Sequence, residues 1–134
     1  MVKLVYCVRR RADVSAEEFH AYWRERHAPL VTSFVAIMRA RRYIQSHTLV
    51  TDLNDVFRAS RGVAPAYDGI TEVWWDCEED LRASMASDDG RIAYQALLDD
   101  ENKFIDFAQS RVFITREHLI FDRDLNHPYD NTPR

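Results

Sequence analysis

Four segments of the chain have the apolar and polar patterning of β-strands: residues 2–8, 41–50, 69–76 and 111–121. Successive side chains of a strand point to opposite faces of a sheet, so the adjacent Trp74 and Trp75 must lie on opposite faces. In the second segment Tyr43, Gln45 and His47 share one face. That face is therefore predicted to be polar and aromatic.

The segment between the first two strands has the pattern of a helix. Ser15 and Glu18 have the spacing of a capping box, which predicts that a helix begins just after Ser15. Pro29 disfavours helical geometry at the residue before it, so this helix should end or kink near residue 27, and a second helical segment should follow. The predicted inward stripe of the first helix consists of Ala16, Phe19, His20, Trp23 and His27.

The rest of the chain predicts the connections between the strands and the order of the elements. Residues 51–68 predict a long connection with a short helical turn at about 54–61, and helical patterns follow the third strand. The order strand, helix, strand, strand, helix, strand predicts an α+β, ferredoxin-like βαββαβ fold, with a four-stranded antiparallel sheet and its helices on one face. The other face would carry Trp74 or Trp75, and an exposed indole there predicts a homodimer with its sheets packed face to face.

Composition narrows the class of protein. The chain has 134 residues, of which 46% are hydrophobic, so we expect one domain at residues 1–121 and a polar tail at 122–134. A formal net charge of -4 argues against a nucleic acid partner. Cys7 and Cys77 lack metal or disulfide spacing, and neither a signal peptide nor a membrane span is indicated. We therefore expect a cytoplasmic protein that does not bind membranes.

Three side chains are candidates for catalysis. His27 is predicted to face inward, and an imidazole titrates in the range that suits a general base beside a carbonyl group. Tyr43 can donate a hydrogen bond to a developing enolate oxygen. His47 shares the strand face of Tyr43 and is the candidate second acid or base.

Three neighbours are candidates for substrate binding: His20, Trp23 and Gln45. A single inward histidine is more often a hydrogen-bonded core residue, but several polar groups converging on one layer favour a functional site. His20 and His27 stand about two helical turns apart, too far to share one ion, so no metal site is predicted.

Five segments together resemble EthD-domain proteins of the dimeric α/β barrel superfamily: FHAYWRERHAPLV, RRYIQSHTL, LNDVFRASRG, YDGITEVWWD and EHLIF. This resemblance implies a ferredoxin-like fold and a dimeric barrel. Similar proteins include small cofactor-independent enzymes, among them fungal polyketide dehydratases, polyketide cyclases and methylmuconolactone isomerases. In the isomerising relatives a histidine late in the first helix and a tyrosine on the next strand line the site, and His27 and Tyr43 match those positions.

The leading functional hypothesis is a lyase or isomerase without a cofactor, acting on a small aromatic or polyketide-like carbonyl compound by proton abstraction. Two alternatives remain open. One is a non-catalytic dimeric protein that binds a small molecule or serves as an accessory protein. The other is a monooxygenase, either cofactor-free or haem-dependent, because the wider superfamily includes haem proteins with an axial histidine.

Overall fold

The computed structural model describes residues 1–125, in which a four-stranded antiparallel sheet has the order β2-β3-β1-β4. The strands are β1 Val2–Val8, β2 Arg42–His47, β3 Gly69–Trp75 and β4 Arg111–Thr115. This strand order and chain connectivity are those of a ferredoxin-like fold. The α+β architecture predicted from the sequence is therefore confirmed.

The helices occupy the connections between the strands. They are α1 Ala16–Tyr22, a π-helical turn at Trp23–His27, α2 Ala28–Ser33, α3 Val35–Met38, α4 Leu53–Arg61, α5 Glu78–Ala86, α6 Asp88–Glu101 and a 3-10 turn at Phe107–Gln109. Each α-helix except α4 buries at least one residue. The α4 helix lies in the long β2–β3 connection, where the sequence predicts a helical turn.

The start of α1 agrees with its capping signal. The Ser15 hydroxyl accepts a hydrogen bond from the Glu18 amide at 3.1 Å, which satisfies one of the free amides at the helix start. Because the cap fixes where α1 begins, it also fixes which side chains of the following turns face the sheet.

Pro29 widens the helix rather than breaking it. Ala28 keeps right-handed helical angles, with φ -58° and ψ -43°, and its amide bonds to the Trp23 carbonyl five residues earlier. A proline ring inside a regular α-helix would crowd the carbonyl four residues before it, and a π turn relieves this crowding. As a result Trp23 and His27 both remain buried on the inner side of the helical layer.

Gly69 permits a close approach between the π turn and the sheet. A Cβ atom at this position would lie 2.4 Å from Cζ3 of Trp23 and 2.6 Å from the Ser46 carbonyl oxygen. Since real Cβ atoms do not pack at such distances, only glycine fits. The Trp23 indole therefore packs directly on the first residue of β3.

Two strands are shorter than the sequence pattern predicts. β4 ends at Thr115, which pairs with Lys3 near the beginning of β1, and β2 ends at His47, which pairs with the first residue of β3. In both cases the partner strand is at its end or within one residue of it, so little of the partner remains for the hydrogen-bond ladder to continue on. The prediction of strands over 111–121 and 41–50 is wrong for the residues beyond these pairs.

The two adjacent tryptophans do lie on opposite faces, as predicted. Trp75 is buried beneath the helices, and its indole nitrogen donates to the Met38 carbonyl at 2.8 Å. Trp74 is on the outer face, but only 6% of it is exposed, because Lys3 and Arg42 lie over its ring and Glu117 accepts from its indole nitrogen. The prediction of an exposed indole on the outer face is therefore wrong.

The chain after β4 contributes to this cover. The residues that follow Thr115 include Glu117 at the Trp74 nitrogen, and several of them line a hollow on the outer face beside Trp74. The boundary at residue 121 and the separate tail at 122–134 stay predictions, and most of that tail lies outside the described residues.

Candidate active site

A cavity of about 880 Å³ lies between the sheet and the helices. Most of the side chains that line it are apolar or aromatic, among them Leu4, Val31, Trp75 and Leu97. A cavity of this size with mostly apolar walls suits a small organic molecule whose orientation is set by a few polar contacts. Among the polar side chains that reach its wall, from both layers, are Tyr6, His27, Tyr43 and Glu101.

His27 is joined to a buried carboxylate on α6. Its Nδ1 lies 2.7 Å from Oδ2 of Asp100, and the Tyr22 hydroxyl donates to the other carboxylate oxygen at 2.5 Å. Burial lowers the pKa of His27 below its ordinary value, although Asp100 opposes this effect. Burial alone would raise the pKa of Asp100, but its interactions with Tyr22, His27 and Lys103 together outweigh burial and lower that pKa. Near neutral pH these directions favour a neutral imidazole beside an ionised carboxylate.

The second ring nitrogen of His27 is left for the cavity. An ionised carboxylate only accepts, so Nδ1 carries the proton and Nε2 has a free lone pair. Among residues 1–125, Nε2 has no hydrogen-bond partner, and no buried side-chain nitrogen or oxygen there lacks one. Nε2 is consequently not fully enclosed by the described residues. Since His27 lines the cavity, we infer that Nε2 is the ring nitrogen that a bound molecule can reach.

Tyr43 brings a hydroxyl group to the same cavity from β2. Burial raises its pKa to about 12, although a hydrogen bond from Gln45 opposes the shift. The hydroxyl is therefore protonated at neutral pH and can donate a hydrogen bond. Gln45 lies behind Tyr43: its amide nitrogen donates to the Tyr43 oxygen at 2.7 Å and to the Trp23 carbonyl at 2.9 Å.

His20 and His47 meet each other rather than the cavity. Their Nδ1 atoms lie 2.7 Å apart, and Nε2 of His47 is 2.8 Å from Oε1 of Gln45. Burial lowers the pKa of His47, and the neighbouring His20 and Arg24 lower it further. The predicted site residues thus divide into a cavity group of Trp23, His27 and Tyr43 and a supporting group of His20, Gln45 and His47.

A sequence profile of the EthD domain matches residues 11–108. The chain belongs to the EthD family. A search of curated proteins finds no match.

Solved structures share the fold of this EthD-family chain at low identity. An EthD-family protein from Bacillus halodurans is 20% identical, with a TM-score of 0.58 over 87% of this chain and 98% of its own. A dimeric protein of unknown function from Bacteroides fragilis is 11% identical, with a TM-score of 0.54 over 85% and 93%. SnoaB, a cofactor-independent oxygenase from Streptomyces nogalater, is 12% identical, with a TM-score of 0.50 over 85% and 89%.

Sequence reasoning did not find three polar residues of this candidate site: Tyr6, Asp100 and Glu101. Burial raises the pKa of Glu101 to about 7, the nearby Tyr6 hydroxyl partly offsets this, and Asp100 adds to it. The two acids belong to the run DDEN at the end of α6, which resembles an ordinary solvated helix end. One signal was present, because Glu101 follows the apolar Leu97 by four residues and so shares its helix face.

Within residues 1–125 no three His, Cys, Asp or Glu side chains come together in a way that could hold a metal ion. No helix in that part of the chain has both the length and the apolar character needed to cross a bilayer.

The Asp100→Asn variant tests the His27–Asp100 pair. Removing the carboxylate removes the interaction that raises the pKa of His27, while burial remains, so this pKa should fall further. The free energy of unfolding should decrease by about 1–3 kcal/mol, because Tyr22 and His27 lose a charged acceptor. NMR titration of His27 and chemical denaturation measure the two effects.

The matched control is Asp99→Asn on the same helix, where the carboxylate accepts only from the exposed Gln95. It should leave both quantities nearly unchanged. An unaltered His27 titration in Asp100→Asn would contradict the pairing.

Proposed function

We propose that this chain is a small cofactor-independent lyase or isomerase, of the dehydratase or cyclase type. Its substrate would be a small aromatic or polyketide-like carbonyl compound, and the reaction would proceed by proton transfer through His27. The observation that carries the proposal is His27 at the wall of an apolar cavity, with Asp100 bonded to Nδ1 and no hydrogen-bond partner for Nε2 among residues 1–125. Family membership supports the proposal but does not by itself identify a reaction.

The first step is removal of a proton from the carbon next to the substrate carbonyl. Nε2 of His27 accepts this proton, and Asp100 stabilises the imidazolium that forms. The electron pair of the broken C–H bond moves to the carbonyl oxygen and gives an enolate. The Tyr43 hydroxyl donates a hydrogen bond to that oxygen in a cavity where such bonds are stronger than in water.

Glu101 is suited to the second proton transfer. Because its pKa is raised to about 7, an appreciable fraction of its carboxyl groups is protonated near neutral pH. In an elimination this proton goes to the leaving hydroxyl group, which departs as water while the enolate collapses to an alkene. In an isomerisation the same proton goes to a second carbon of the substrate. His27 then returns its proton to solvent or to Glu101.

The remaining predicted residues have supporting roles in this proposal. Trp23 forms part of the cavity wall, while His47 and Gln45 act on the substrate only through Tyr43. His20 contacts His47 from the first helix.

Substitutions at the cavity should separate these roles. His27→Ala should lower turnover by about 100-fold or more, since general-base catalysis contributes about that much, and Tyr43→Phe should lower it by a smaller factor. The exposed His118→Ala, outside the cavity, is the matched control. Full turnover of an identified substrate by both His27→Ala and His47→Ala would show the mechanism to be wrong.

The same mechanism predicts a bell-shaped pH dependence of kcat/KM. The acid limb reflects protonation of His27 below its lowered pKa, and the alkaline limb reflects loss of the Glu101 proton above about 7. Glu101→Gln should remove the alkaline limb.

A second candidate is a cofactor-independent oxygenase. SnoaB, which shares the fold, has that activity, and a neutral base in an apolar cavity could equally deprotonate a phenolic substrate. Oxygen uptake with a hydroxylated anthrone would favour this candidate over a lyase. A third candidate is a protein that binds a small molecule without transforming it. Mass spectrometry after incubation with a copurified ligand would then find that ligand unchanged.

We also propose that the chain forms a homodimer through the outer face of the sheet. Phe113 and Ile70 lie on that face and remain 48% and 36% exposed, and a relative with this fold is dimeric. The apolar side of α4 is also exposed, with Val56 at 55% and Phe57 at 57%. Exposed apolar groups of this kind favour an isologous contact.

Light scattering at micromolar concentration should therefore give the mass of a dimer. Phe113→Glu should shift the equilibrium towards monomer, because it would bury a charge in the contact. The control is Ile92→Glu, at a position that is 69% exposed on α6. A monomeric wild-type chain would contradict the proposed dimer.

A further inference from the structure

A continuous line of hydrogen bonds runs from α1 to the cavity through four side chains. It joins His20 to His47 at 2.7 Å, His47 to Gln45 at 2.8 Å and Gln45 to Tyr43 at 2.7 Å. Only the last of these side chains, Tyr43, lines the cavity. The chemistry of each atom in the line determines which group donates, and this gives the line a direction.

Gln45 sets that direction. Its amide nitrogen lies 2.9 Å from the Trp23 backbone carbonyl, which can only accept a hydrogen bond. The amide cannot be turned over without placing its oxygen against that carbonyl, so the nitrogen must face Trp23 and Tyr43. Oε1 of Gln45 then faces His47, and because this oxygen only accepts, Nε2 of His47 must carry a proton.

The same reasoning determines which nitrogens of His20 and His47 carry a proton. A neutral His47 with its proton on Nε2 presents a lone pair at Nδ1. His20 must then donate from its own Nδ1 across the 2.7 Å contact. Burial and the neighbouring His20 and Arg24 favour the neutral form of His47, in agreement with this assignment. Every donor in the line thus points towards Tyr43.

The line ends on the oxygen of Tyr43 and leaves its proton free for another partner. Gln45 donates to that oxygen, so the hydroxyl cannot turn its proton towards Gln45. Within residues 1–125, the Tyr43 hydroxyl donates to no protein acceptor. Because Tyr43 is at the cavity wall, a molecule inside the cavity can supply the acceptor for this proton.

We propose that Gln45 is a positioning residue which, with His47 and His20 behind it, fixes the Tyr43 hydroxyl as a hydrogen-bond donor to a ligand oxygen in the cavity. The cavity accordingly selects molecules with an accepting oxygen, such as a carbonyl, enolate or phenolate, at Tyr43. The role of this bond in turnover rests on the proposed function, whereas the direction of the line does not.

Nitrogen-15 NMR of histidine in the wild-type chain tests the direction without any substrate. We expect His47 to be protonated on Nε2 and not on Nδ1, and His20 to be protonated on Nδ1. Each ring nitrogen has a distinct chemical shift in the two forms, so a merely space-filling role would not fix this pattern. A His47 protonated on Nδ1 with a bare Nε2 would overturn the proposal.

Gln45→Glu and Gln45→Met test the link to Tyr43. Neither side chain can donate to the Tyr43 oxygen, so the carbon-13 resonance of Tyr43 Cζ should move in both variants. In Gln45→Glu the new carboxylate should also raise the pKa of His47, and the Tyr43 hydroxyl should turn to donate to it. The matched control is Gln109→Glu in the exposed 3-10 turn, which should change neither signal.

Circular dichroism and thermal unfolding verify that each variant is folded, and Gln45→Met keeps the test decisive if Gln45→Glu does not fold. A Tyr43 Cζ resonance that stays in place in a folded Gln45 variant would overturn the proposal. If these measurements contradict the role of Gln45, the His27 mechanism is not affected. Full turnover by His27→Ala, conversely, would refute that mechanism and leave the direction of the line intact.

Discussion

The hydrogen bond between His27 and Asp100 links two helical segments that form the upper layer of the cavity. His27 is on the π turn after α1, and Asp100 is at the end of α6, far along the chain. The bond crosses the helical layer, so the position of the imidazole depends on the packing of both helices. It also decides the chemistry, because an ionised carboxylate at Nδ1 leaves Nε2 as a base. If this pair were absent, the cavity would still be apolar but would lose its imidazole base.

The π turn is the local device that makes this arrangement possible. Pro29 cannot donate to the carbonyl four residues earlier, and the widened turn carries the chain past it without ending the helix. The same turn presents the Trp23 carbonyl to Gln45, which supports Tyr43 from behind. One adjustment of the backbone therefore positions the base on the helical side and the hydroxyl donor on the sheet side of the cavity.

Local patterns in the sequence were sufficient for much of the fold. The alternation in β1, the capping box at Ser15 and the helical turn in the β2–β3 connection each depend on neighbouring residues, and all were predicted. The lengths of β2 and β4 were not, since a strand ends where its partner ends, and that is set by distant residues. The burial of Trp74 was missed for the same reason, because its cover includes Glu117 from the segment after β4.

The same distinction between local pattern and tertiary packing applies to the candidate site. His27 and Tyr43 could be placed at the cavity because each lies on the inward face of a regular element. Asp100 and Glu101 could not, since an acidic helix end is ordinarily solvated and only tertiary packing buries it. Gln45 and His47 point to the expected layer, but whether such a side chain reaches the cavity or stands behind another one depends on distances that periodicity does not contain.

The tautomer of His27 in the wild-type chain tests the central claim most directly. Nitrogen-15 NMR at neutral pH should find a neutral ring that is protonated at Nδ1 and bare at Nε2. A ring protonated at Nε2, or a cationic ring at that pH, would contradict the account, since neither form could take a proton from a molecule in the cavity.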